Sequence, residues 1–231
     1  MRNLIIILVA FVGFLYGYED DIKVINGCKL VPNTQCKKVD LSNQNLSGLD
    51  LKGSNFEGAN FEGSILDGTD LTKAILKNSN FKNAKLRHAI LKQSDISNSN
   101  FVNANLARAD LRHANMKVAQ ASNANFDGVN AWALFAQGSN FDNSSFHGAN
   151  FQFARMSGSS MRNCNLQAIS LEAAWMTRVN FENSNFTNAY LQETKLGNSS
   201  LLKAIFTGTR IHYANLSGVL MDDCIDCPTN W

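Results

Sequence analysis

Ser54-Asn55-Phe56-Glu57-Gly58 is followed at once by Ala59-Asn60-Phe61-Glu62-Gly63, one five-residue unit written twice. The period runs on in both directions. From Leu41 to Met221, every position whose number leaves remainder one on division by five is apolar: 37 positions, held by 16 Leu, 11 Phe, 5 Met, 2 Ile and 3 Ala. Two residues earlier, 29 of the 37 positions are Ala, Ser, Thr or Cys, so a small side chain stands beside each large one. Two residues later there are 11 Gly and 11 Asn, the residues that most easily adopt the backbone angles of tight turns. A corner at every fifth residue follows. A helix would repeat its apolar residues every three or four positions and a strand every two, so neither accounts for the pattern. Short extended segments joined by corners can instead wind into a coil with the large side chains inside, each coil burying the apolar edge left by the one before.

These units, together with Ala104-Asn105-Leu106-Ala107-Arg108, resemble the small-Asn/Asp-Leu/Phe-x-x consensus of the pentapeptide-repeat family, in one register over residues 39–223. The resemblance implies an all-β fold, a right-handed quadrilateral β-helix with four repeats per coil and slightly over nine coils from the 37 repeats. At a sheet spacing of ~4.8 Å this is a rod of roughly 45 Å. Phe61, Phe81, Phe101, Phe141 and Phe181 would share one inner column, and Leu46, Leu66, Leu86, Leu106, Phe126 and Phe146 the next.

The composition suits such a core. Of 231 residues, 45% are apolar and 17% charged, which excludes a mainly disordered chain. With 21 Lys and Arg against 19 Asp and Glu, the net charge of +2 gives neither the footprint of a nucleic-acid binder nor a DNA-like acidic surface. The basic run Lys73, Lys77, Lys82, Lys85, Arg87 and Lys92 spans nearly a whole coil and forms a belt, not a patch. Acids lie one coil below it, Glu57 under Lys77, Glu62 under Lys82 and Asp67 under Arg87, and Asp142, Arg162 and Glu182 repeat the device. These read as stacking pairs, worth about 0.2–1 kcal/mol each.

At the N-terminus, Met1-Arg2-Asn3 precedes an apolar run from Leu4 to Tyr16 and then Glu19, Asp20 and Asp21. This is the order of a secretory signal peptide, and the run is shorter than a membrane span needs. The expected organisation is a signal peptide over 1–17, an N-terminal cap over 18–40, the β-helix over 41–223 and a tail over 224–231. The expected setting is periplasmic or secreted, with no stable membrane span after cleavage; an uncleaved anchor is the alternative. In an oxidising compartment Cys28 and Cys36 read as a disulfide that ties down the cap. Cys224 and Cys227 read as a closing disulfide, with a redox pair or half a metal site as alternatives. The C-terminal end is either covered by Trp231 folding over Leu216 and Met221 or left as a homodimer interface.

No constellation for catalysis, cofactor or metal emerges. His88, His113, His147 and His212 share no column in adjacent coils, Cys164 reads as a core spacer, and Glu57, Glu62 and Asp67 project from three different faces. The reading is therefore a non-catalytic extracytoplasmic scaffold for a protein or envelope partner. Two alternatives are a DNA-mimicking, gyrase-binding protein, disfavoured by the signal sequence and the near-neutral charge, and a carbohydrate-active β-helix enzyme, disfavoured by the lack of an acid pair. The candidate partner site is the coil from Ala121 to Ser139. Three of its central positions are Ala121, Ala131 and Ala136, while bulk appears at Trp132, Leu134 and Phe135. If register holds, Leu134 fills the small inward site beside Ala136 and the two aromatics point outward. Trp132 then lies above Arg112, and Phe135 is followed by Arg155, Trp175 and Lys195, with Phe153 at the corner between. Arg112, Trp132, Phe135, Phe153, Arg155 and Trp175 form the expected patch. The opposing expectation is that Trp132 and Phe135 fold inward through a bulge.

Overall fold

A computed structural model of the protein describes residues 22–228. The readings on the signal segment and on Trp231 lie outside the described residues. The repeat unit is a turn. The residue two places after each central one has a positive φ, from Asn43 at 55° through every repeat to Asp223 at 57°. After the turn the chain bonds back to the central residue, as in Ala59 N–H to the Phe56 carbonyl at 2.9 Å. A positive φ at the third turn position and not at the second defines a type II turn. Gly and Asn take this conformation with least strain. Val118, at 58°, and Phe153, at 59°, are held in it against their preference.

Four such turns close one coil. Single-residue parallel bridges join each outward residue to the one 20 later, at every fifth position from Gln35↔Asn55 to Ile205↔Ile225. The central side chains are inside: Phe56, Phe61, Leu66 and Leu71 in one coil, Phe81 and Phe101 above, all fully buried. Phe61, Phe81 and Phe101 stack nearly parallel at 4.8 and 4.7 Å between ring centroids, and Phe126 stacks on Phe146 at 4.9 Å. The small inward residues also close hydrogen bonds between coils. Ser79 Oγ donates to the Phe56 carbonyl at 2.9 Å, and the Ser99 hydroxyl accepts the Ser79 N–H at 3.1 Å. Cys164 occupies such a site and donates its thiol to the Phe141 carbonyl. Burial pushes that thiol's pKa up to about 12.

Register holds through the irregular coil. Leu134, Ala131 and Ala136 are all buried, Phe135 bridges Asn115 and Arg155 in the ordinary outward position, and no bulge intervenes.

The ends differ from expectation in extent. Asn33 (φ 61°) and Lys38 (φ 57°) already sit in the turn register, and Gln35 and Asp40 are bridged, so coiling begins before Leu41. Pro32 suits the second position of that first type II turn, where its fixed φ is the one required. The cap proper is a hairpin of β1 (Val24–Ile25) and β2 (Cys28–Lys29). Lys23 Nζ and Asn26 Nδ2 donate from it to the carbonyls of Asn45 and Asp40. Cys28 and Cys36 are joined, with their Cα atoms 5.7 Å apart, tying β2 to the first coil. At the other end Cys224 and Cys227 are joined. The last coil is less covered, with Leu220 at 57% and Ile225 at 54% exposure.

Candidate interaction surface

The outward residue before each central one decides what a face presents. Where it is Asn or Asp, its Oδ1 accepts the N–H two residues on and locks the corner, as Asn80 does for Lys82 (3.1 Å) and Asn100 for Val102 (3.0 Å). Asn80 Nδ2 also donates to Asn60 Oδ1 one coil below, at 3.1 Å. One face abandons this device over four consecutive coils: after Asp95 and Asn115 come Phe135, Arg155, Trp175 and Lys195, each bridged to the next. The amides of Gln137, Ser157, Thr177 and Gly197 accordingly have no Asx partner.

In its place stands a ladder of rings and cations. Arg155 Cζ lies 5.5 Å from the Phe135 ring centroid on one side and 5.8 Å from Trp175 on the other. Lys195 Nζ lies over the Trp175 ring at 4.0 Å, and Lys117 Nζ lies 5.7 Å from the Phe135 centroid. Phe135 is partly exposed, and Trp175 is 48% exposed. On the adjoining face Arg210 covers Tyr190 at 4.8 Å.

The corner beside the ladder holds a second aromatic group. Trp132 packs edge-on to His113 at 4.8 Å and to Phe153 at 5.7 Å, over the small Ala133 between them. Phe153 remains 49% exposed. Arg112 does not join this group. It forms a bidentate pair with Asp110, two residues away in its own repeat, because that carboxylate offers two charged acceptors where Trp132 offers only a ring. The structure therefore brings together Trp132, Phe135, Phe153, Arg155 and Trp175 and leaves Arg112 outside. Lys117 and His113 were missing from the expected patch. Lys117 could have been found from an 18-residue offset, which the structure also uses between Glu62 and Asn80.

The remaining charges behave as stacking devices, with corrections. Glu57 is held between Lys37 (3.0 Å) and Lys77 (3.2 Å), and hydrogen bonds from those two ammonium groups hold its carboxyl below the ordinary range. Asp67 pairs with Arg87 and Asp142 with Arg162. Burial pulls the Asp142 carboxyl upward, but the Arg162 guanidinium, the Ser160 hydroxyl and the Arg162 amide outweigh it and leave it lowered. Glu62 does not pair with Lys82; it accepts from Asn80 Nδ2, which is nearer. Arg162 bonds Asp142 and not Glu182, directing both its Nε and its Nη2 donors to that one carboxylate. An open corner groove of about 490 Å³ runs past His88, Arg108 and His147. Its one acid, Asp127, is occupied by the Ser145 hydroxyl and the His147 amide. Among the described residues no three His, Cys, Asp or Glu side chains gather as a metal site, and no helix is long and apolar enough to cross a membrane.

Four-sided coils of five-residue units, with large residues stacked inside, define a quadrilateral β-solenoid. The family model for pentapeptide repeats matches in successive segments, from residues 34–72 to 184–223, and the chain belongs to that family. Its fold is the family's right-handed β-helix. Solved structures similar to it include HetL, a pentapeptide repeat protein involved in heterocyst differentiation regulation from the cyanobacterium Nostoc sp. strain PCC 7120. That likeness is 18% identical and covers 95% of each chain, with a TM-score of 0.49. QnrB1, a plasmid-mediated fluoroquinolone resistance protein, is 21% identical over 82% of this chain and 90% of its own, with a TM-score of 0.41. A pentapeptide repeat protein of the Arabidopsis thaliana thylakoid lumen is 28% identical over 47% and 68%, with a TM-score of 0.37. No curated protein matches the chain by sequence.

Proposed function

We propose that the protein is a non-catalytic extracytoplasmic scaffold whose rod presents the Phe135–Lys195 ladder to a protein partner. The observation that carries this reading is the exchange of Asx corners for exposed rings and cations on one face, over four successive coils. Each Asx hydrogen bond contributes about 0.5–1.5 kcal/mol and each exposed cation–π contact about 0.5–1 kcal/mol, so stability alone gives no reason for the exchange. Local rules are broken most often where function requires it, and exposed aromatic and Arg groups are enriched among binding hot spots. The extracytoplasmic setting is supported by the N-terminal sequence and by two bonded cysteine pairs. A DNA-mimicking role would need a strongly acidic surface, and the net charge is +2.

Proximity labelling from the full chain in its own compartment tests the reading. Labelling of a specific partner that Trp175→Ala with Arg155→Ala abolishes is the expected result. A chain found only in the cytosol, or partner labelling unchanged by the double variant, overturns it.

A further inference from the structure

The ladder's geometry says what kind of partner it fits; the inference rests on the interaction reading above. Phe135 and Trp175 follow one another along the rod with Arg155 between them, and Lys117 and Lys195 close the outer sides. Each ring therefore has one cation from the coil before it and one from the coil after it within 6 Å of its centroid. Nucleobases gain from aromatic side chains by stacking on an open face, and here cations from both neighbouring coils compete for the rings. What the ladder shows to solvent is aromatic rings alternating along the rod with ammonium and guanidinium groups.

The charges are also uncommitted. Arg87, Arg112 and Arg162 each hold a carboxylate. Lys117, Arg155, Arg178 and Lys195, which line the ladder and its far corner, form no ion pair among the described residues. The outward column on one side, Asn140, Ser160, Asn180 and Ser200, carries no acid; on the Phe153 side Glu172 accepts from Gln152, and neither it nor Glu193 forms an ion pair among the described residues.

Apolar groups border the ladder on both sides. Val118 is 53% exposed and Phe153 49% exposed, both at left-handed turn positions, with φ of 58° and 59°. Elsewhere Gly or Asn commonly fills that position, and a β-branched or bulky residue there is strained by about 1–3 kcal/mol. A surface that joins carboxylate-seeking cations to exposed apolar corners suits a ligand carrying both kinds of group. A polypeptide does; a uronate polymer lacks apolar side chains.

We infer that the ladder binds an acidic, apolar-containing peptide segment of its partner, laid along the rod. Successive cations at Arg155 and Lys195 are two coils apart, ~9.6 Å at ~4.8 Å per coil. In a polyproline II peptide, with three residues per turn and ~3.1 Å per residue, carboxylates three residues apart lie on one face ~9.3 Å apart and match this spacing.

Fluorescence anisotropy with the full chain tests this. The probes are a labelled peptide with Glu at every third position and Leu between, its Gln counterpart, a labelled oligogalacturonate and a single-stranded oligonucleotide of equal charge. The Glu peptide is expected to bind at least 10-fold tighter than each of the other three. Arg155→Gln with Lys195→Gln should weaken it at least 10-fold, whereas Lys82→Gln with Lys85→Gln, the same charge change on other faces, should not. Equal binding of the Gln peptide, lost in Trp175→Ala, overturns the acidic partner while leaving the protein-binding reading standing. Preference for the oligogalacturonate or the oligonucleotide overturns both. Binding of no probe, or equal loss in both double variants, overturns the inference.

Discussion

Exchanging Leu134 and Ala136 is the sharpest test of how the irregular coil keeps its register. Both side chains are fully buried, and as positions two apart on an extended segment they point to the same side. Leu134→Ala alone removes three carbons from a closed core, at a cost of about 2–5 kcal/mol. Ala136→Leu alone places two Leu side chains where one is accommodated, and overpacking of this kind costs about 1–3 kcal/mol. The double variant Leu134→Ala with Ala136→Leu restores the ordinary arrangement of large centre and small neighbour. It conserves volume and should cost less than about 1.5 kcal/mol. The sum of the single costs exceeds the double by several kcal/mol, well outside the additivity expected of independent sites. Urea midpoints followed by circular dichroism measure all three variants. If the double variant is as destabilised as the two single costs added together, the large and small positions do not share one space, and the reasoning fails.

Three further outcomes follow from particular residues. Gly48 has a φ of 69° with open space around its Cβ position, so Gly48→Ala should cost about 1–2 kcal/mol from backbone strain alone; Gly48→Asn should lower the urea midpoint less. Asp142 has a folded pKa below its unfolded one, so its contribution is complete above the unfolded value and is lost as pH falls through the folded one. Acid titration of the midpoint should show that loss, and Asp142→Asn should remove it. Cys164 is buried, with its thiol pKa raised to about 12; it should resist a thiol-reactive dye at pH 8 in the folded protein and react on unfolding.

The five-residue period contained nearly all of the fold, because one backbone conformation repeats and each central residue carries the same instruction. The ladder was legible for the same reason: outward residues meet their partners at a fixed offset of 20, as Phe135, Arg155 and Trp175 do. Corner side chains were less legible. A residue such as Arg112 can reach along its own repeat as well as to the next coil, and Asp110 wins by offering two charged acceptors. Glu62 likewise meets Asn80 from a neighbouring column. The start of coiling was obscured because Val31 and Cys36 hold central positions in which neither Leu nor Phe appears, though the turns at Asn33 and Lys38 are already formed.

The most direct measurement of the central claim replaces the ladder with the residue that the corners elsewhere favour, as Phe135→Asn, Arg155→Asn, Trp175→Asn and Lys195→Asn together. Four Asx hydrogen bonds at about 0.5–1.5 kcal/mol each would replace four cation–π contacts at about 0.5–1 kcal/mol each. The account predicts a urea midpoint equal to or above that of the unaltered protein, together with loss of partner labelling. An unfolding free energy lowered by several kcal/mol, with partner labelling intact, would contradict it and make the ladder a device of stability.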